Sequence, residues 1–362
     1  MRSGRGGTGT LRGPAADAAY GNWLTLGKDG RLSLYAPADD GVVRWTETAV
    51  GGPAWSGPHL HPVEGMTHLT VAQGADGYVH LLGRRERVVA TGERGVEILH
   101  AIQYQTGRAL ADWRSIGNPH YKHWEQGLGI GQPTGVVARD GTLHVLVRSS
   151  GGGLALRRED ANGKWRLWES LRQGGGVDPM PAAVALNSGR VEIGAVTDAG
   201  LAVWRQTRPG GDFEGPHTVP LHPRRGTMAA LETGPDRATF LWADPAAGGG
   251  AAWRPGGWPV PLGGSVPEHP YALLRTTLDG YDYVVVAHRD AEGHVVLGVG
   301  ATENEAQGFW WYVLPERCLG SPALAHDGEG RAVMALVAPD GRPRVARQEP
   351  GGGLTFARWD TL

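Results

Sequence analysis

The chain has 362 residues, and its 35 Lys and Arg nearly cancel 37 Asp and Glu, which excludes the strongly basic surface of a non-specific nucleic-acid binder. No apolar run approaches the roughly 20 residues of a membrane span, and the single Cys318 leaves no intramolecular disulfide to hold the fold. Gly (59) and Pro (25) are abundant enough to mean either disorder or very many turns, and 14 Trp decide for turns, because disordered chains are poor in aromatics.

Residues 1–20 open M-R-S-G-R-G-G-T-G-T-L-R-G. They carry no apolar core of a signal peptide and read as a flexible arm. The expectation is a soluble cytoplasmic protein, with non-classical export left open. A first unit follows: W-L-T-L-G-K-D-G-R-L-S-L-Y-A-P-A-D-D-G-V-V-R-W-T-E from Trp23. It reads as a short apolar strand, a tight turn, an alternating strand, a second turn and a Trp-bearing strand. The second unit is longer, and residues 83–107 read as an insertion that overhangs the rest. The third unit, Pro133 to Trp168, is the clearest: Leu143, Val145 and Val147 alternate with His144 and Leu146, the period of a strand. Pro181 begins the fourth unit, and Phe356 and Trp359 close the seventh.

The first turn of each unit falls at Gly30, Gly77, Gly141, Gly189, Asp236, Gly280 and Gly330. Asp-Gly and Gly-Gly steps supply the positive φ that tight hairpins need. Their spacing averages about 50 residues, which suits four-stranded blades. One such blade cannot bury both faces alone, so it must stack on neighbours. The reading is an all-β chain folded as a single seven-bladed β-propeller of four-stranded antiparallel blades, at approximately 21–62, 63–130, 131–179, 180–227, 228–268, 269–320 and 321–362. Both terminal units hold four strands of their own, so the ring is expected to close by packing.

The pattern G-R-L-x-L-Y-A-x-x-x-D-G-x-x-R-W at residues 30–45 and the Gly141–Trp168 copy resemble the repeats of bacterial PLL-like propeller lectins. The resemblance implies seven blades and binding of fucosylated or methylated sugars in shallow sites between them. Arg44 beside Trp45, Arg205 beside Trp204 and Arg254 beside Trp253 recur on third strands. As sugar contacts, the indoles would stack and the guanidiniums pair with hydroxyls. As plain structure, the indoles would fill the wedge between blades.

H-E-x-x-H, G-x-S-x-G and Walker motifs are missing. Instead, titratable residues gather on segments read as connectors between blades: His59, His61 and Glu64; His120, His123 and Glu125; Asp178; His222, Arg224 and Arg225; Glu268 and His269; Glu316 and Arg317. A propeller brings such connectors round one axial mouth, where a mixed His and carboxylate cluster suits acid–base work. Ordinary solvated loops are the plainer account. His120 and His123 with His61 and Glu64 have no fixed zinc spacing, so no metal is assigned, and no cofactor is called for. Two function classes stand. The first is a lectin-like binding module for a glycan or other hydroxylated small molecule, with Trp45, Arg44, Trp204, Arg205, Trp253, Arg254, Arg224, Arg225 and Trp124 as contacts. The second is a lyase, hydrolase or cyclase using His61, Glu64, His120, His123, His222, Glu268 and His269 in a central funnel. Divergence between the repeats favours the second; the resemblance favours the first.

Overall fold

The computed structural model describes residues 19–88, 92–160, 162–171, 176–351 and 353–362, with the backbone alone at Tyr20 and Trp124. The expected arm lies almost wholly outside these residues. Seven antiparallel sheets follow one another along the chain, at 24–62, 66–115, 134–170, 182–219, 229–263, 272–317 and 323–361. Each sheet has an inner, second, third and outer strand in sequence order, and the inner strands surround one axis: a seven-bladed β-propeller. Tyr20–Gly21 adds a short fifth strand, parallel to the inner strand of blade two (Met66–Gln73). Helix among the described residues is confined to single turns at Trp124–Gly127 and Glu305–Gln307.

Local chemistry accounts for the repeat. All seven first-turn residues adopt positive φ: 77° at Gly30, 78° at Gly77, 88° at Gly141 and Gly189, 55° at Asp236, 82° at Gly280 and 81° at Gly330. In blade three the Gly141 amide donates to the Ala138 carbonyl at 2.9 Å, and the Asp140 carboxylate caps the Thr142 amide at 2.9 Å. The following strand, Leu143–Arg148, buries both its faces. Blade-to-blade contact therefore forms the core: Leu82, Ile98, Val145 and Val147 fill the seam between blades two and three, and Ile193, Ala202 and Trp204 that between three and four.

The residues beyond the average in unit two are not a separate insertion. They lengthen a paired hairpin, Val79–Val88 against Arg94–Gln103, in continuous register from Val79↔Gln103 to Val88↔Arg94. Arg85 pairs with the buried Glu97 at 2.5 Å.

Arginines lock neighbouring blades. From blade one, Arg44 donates to the Gly107 carbonyl of blade two at 3.2 Å, and also to that of Arg108. From blade three, Arg158 donates to Gly211 O at 2.6 Å and pairs with Asp212 of blade four. Arg205 of blade four reaches Asp236 of blade five, and Arg254 of blade five reaches Glu305 of blade six. The ring closes by the same device: Arg347 of blade seven pairs with the buried Glu47 of blade one and donates to Gly52 O at 3.1 Å. Each terminal blade keeps its own four strands, so closure is by packing.

Candidate functional site

The titratable connector residues are spread over the outer strands of blades one and six and the loops between blades. The channel between the inner strands has a volume of about 470 Å³ and is lined mainly by small and apolar residues such as Ala183, Met180, Met228 and Pro270, with Gln73, Gln132 and Glu232 among its polar members. None of the titratable connector residues lines it. His59 and His61 belong to the outer strand of blade one, Trp55–Pro62, opposite Arg44 and Val42. Burial, then Arg44 and His59, push the His61 imidazole down to about 4, so it is neutral at pH 7. Glu64 is exposed. His120 Nε2 sits 3.0 Å from the Ser150 hydroxyl and pins its connector to blade three. His123 and His222 are exposed, and the Trp124 side chain lies outside the described residues. Arg225 pairs with Asp198 at 2.7 Å. Glu268 pairs with Arg289, whose Nε donates to the Cys318 carbonyl at 2.9 Å. His269, half-buried near Arg224, has its pKa lowered by burial and then by that positive neighbour. Among the described residues no three His, Cys, Asp or Glu are grouped to hold a metal ion.

The Arg-Trp pairs are built into the scaffold. Trp45, Trp204 and Trp253 are buried, and the Trp204 indole donates to Leu171 O at 3.0 Å. Their partner arginines are the blade-to-blade locks. As ligand contacts the three indoles would require the blades to part.

A different site stands open at the periphery between blades six and seven, where a groove of about 880 Å³ runs between the sheets. Its length follows the outer strand of blade six, Trp310–Arg317, whose alternate residues Trp310, Tyr312, Leu314 and Glu316 face the groove. The intervening Trp311 turns to blade five and donates to Leu262 O at 2.8 Å. Register sets the floor: Val299 lies opposite Trp310, Leu297 opposite Tyr312, and Tyr283 continues the same face. The far wall is the last loop of blade seven, with Leu354, Phe356, Arg358 and Trp359. Trp310 is 60% and Tyr312 55% exposed, and with Leu314 they form one contiguous apolar edge of the groove rather than isolated surface residues. Among the described residues, the side chains of Arg358 and Glu316 have no hydrogen-bond or ion-pair partner, in contrast to the engaged arginines of the blade locks.

Aromatic faces beside an unengaged guanidinium and carboxylate suit a ligand with apolar ring faces and polar edges. No protein-family model matches the sequence, and no curated protein does. Solved structures do match. The polysaccharide lyase Uly1 is similar over 100% of this chain and 94% of its own, at 12% identity and TM-score 0.53. The fucose-specific lectin from Aleuria aurantia is similar over 98% of this chain and 97% of its own, at 10% identity and TM-score 0.51. A Hadza microbial sialidase is similar over 88% of this chain at 10% identity and TM-score 0.50, and this chain spans 63% of its length. The likeness is one of fold.

Sequence reasoning registered parts of the groove without assembling them: Glu316 as a connector carboxylate, and Phe356 and Trp359 as the end of unit seven. It missed Tyr283, Tyr312 and Arg358. The available signal was W-W-Y at 310–312: aromatics on both faces of an outer strand, only one of which packs on the preceding blade.

Proposed function

We propose that this chain is a lectin-like propeller that binds a glycan, or a similarly hydroxylated ligand, in the groove between blades six and seven. The observation that carries the reading is the pairing of exposed Trp310 and Tyr312 with the unengaged Arg358 and Glu316. A pyranose offers C–H faces to an indole and hydroxyls to charged groups, and hydrogen bonds to charged groups are the stronger kind. The names of the solved neighbours lend support from outside: one lectin, one polysaccharide lyase and one sialidase. The resemblance of residues 30–45 and of the Gly141–Trp168 copy to PLL-like lectins points the same way. The test is a glycan array followed by calorimetry, with Trp310→Ala and Arg358→Ala as variants. Binding that both variants weaken supports the reading, whereas a blank array, or binding indifferent to both, removes it. Cleavage of a bound glycan, read as new reducing ends or unsaturated products, would turn the binding module into an enzyme.

A further inference from the structure

We propose that this groove is the chain's single glycan site of its kind and that it takes an extended, largely uncharged oligosaccharide laid along the outer strand of blade six; the inference rests on the glycan reading above. The blade seams give the first argument. Five are locked near the periphery by an arginine, Arg44, Arg158, Arg205, Arg254 or Arg347, that reaches the following blade. The seam between blades two and three is filled, and Arg157 crosses it in the other direction to donate to Ile116 O. His80 and His100 stack at 5.3 Å, the Trp165 ring abuts His100 at 5.5 Å, and Arg157 lies over Trp165 while donating to Arg166 O at 2.9 Å. Only the seam between blades six and seven has neither device among the described residues. The third strand of blade six, H-V-V-L-G-V-G-A at His294–Ala301, carries no arginine. Cross-links between these two blades lie near the axis, as between His326 Nε2 and Thr276 Oγ1 at 2.9 Å. The wedge that elsewhere is closed by protein stays open here.

Shape gives the second argument. From Trp310 to Glu316 the strand covers roughly 20 Å at about 3.3 Å per residue, several times the length of one pyranose ring. Trp310 and Tyr312 stand on the same edge two residues apart, so successive rings of a chain meet successive aromatic faces. Charge gives the third. The groove sets one cation, Arg358, against two carboxylates, Glu316 and Asp279. That balance offers a sulfated or uronate polymer no attraction, and it suits hydroxyls as donors and acceptors.

Calorimetry tests this with cello-, laminari- and fucosyl-oligosaccharides from single sugars to hexasaccharides, and with heparin as a polyanion. The expected result is one site per chain and affinity that rises with length before reaching a plateau. Each early unit should tighten binding roughly five-fold, about 1 kcal/mol. Trp310→Ala and Tyr312→Ala should each flatten the dependence on length. A single sugar that binds as tightly as its hexasaccharide, more than one site per chain, or preference for heparin overturns the inference and leaves the glycan reading standing. Failure of every glycan to bind overturns both.

Discussion

Trp310 and Trp204 are the same residue type on outer and third strands of two blades, but one is 60% exposed and the other 1%. Replacing Trp204 by Ala removes a core indole and its bond to Leu171 O. It should cost about 3–5 kcal/mol in urea unfolding. Replacing Trp310 by Ala should leave stability within about 0.5 kcal/mol and lower glycan affinity about tenfold, the equivalent of 1.4 kcal/mol. Equal effects on stability would contradict the assignment of the two roles. Buried histidines set a pH dependence. Burial, with Arg158 and Arg166 alongside, pushes the His144 imidazole down to about 4, while an unfolded His titrates near 6.5. Between these values the unfolded chain holds a proton that the folded chain does not. Stability is therefore fully present above about pH 6.5 and falls as pH drops toward 4. His144→Gln should flatten that loss by up to about 1.4 kcal/mol per pH unit; an unchanged slope would show that other groups control it.

Second and third strands are legible at the level of elements because their residues are buried on both faces, and the inner strands because they end at turns with a strict backbone requirement. Gly141, at φ 88°, is such a turn. Gly141→Ala should cost about 1 kcal/mol or more, since a Cβ is strained in that conformation, and a neutral result in thermal unfolding would remove the turn argument. Asp236 meets the same requirement at φ 55° and holds Arg190 and Arg205 as well. Outer strands were less legible, for a physical reason. They pair on one side only, so proline and polar residues are tolerated. The run W-S-G-P-H-L-H-P at Trp55–Pro62 therefore reads as loop at its His-Pro end, which places His59 and His61 on a connector. Outer strands also vary in length: eight residues in blades one and six, two in blades two, three and seven. The groove was hidden because it depends on what one seam lacks, and a missing arginine on His294–Ala301 leaves no motif to read.

At the scale of the whole molecule, blade seven is held unequally. On one side Arg347 pairs with the fully buried Glu47, covers the Trp55 ring at 6.0 Å and donates to Gly52 O. On the other side its periphery is the open groove. Arg347→Ala leaves Glu47 as an uncompensated buried carboxylate. The loss should be about 3–5 kcal/mol, measured by urea unfolding. Glu47 has a second duty, because its Oε2 accepts the Leu32 amide at 2.8 Å. The compensating change must keep an acceptor there, and Glu47→Gln does so without charge. The double variant Arg347→Met with Glu47→Gln should therefore recover most of the loss, because neither buried group is then left ionised and alone. The closure also bears on the groove. A blade seven freed from blade one can swing, carrying Phe356, Arg358 and Trp359 away from Trp310 and Tyr312. Arg347→Ala should thus weaken glycan binding although it touches no ligand, and the double variant should restore binding together with stability. Recovery of stability without recovery of affinity would show that the groove does not depend on how the ring is shut.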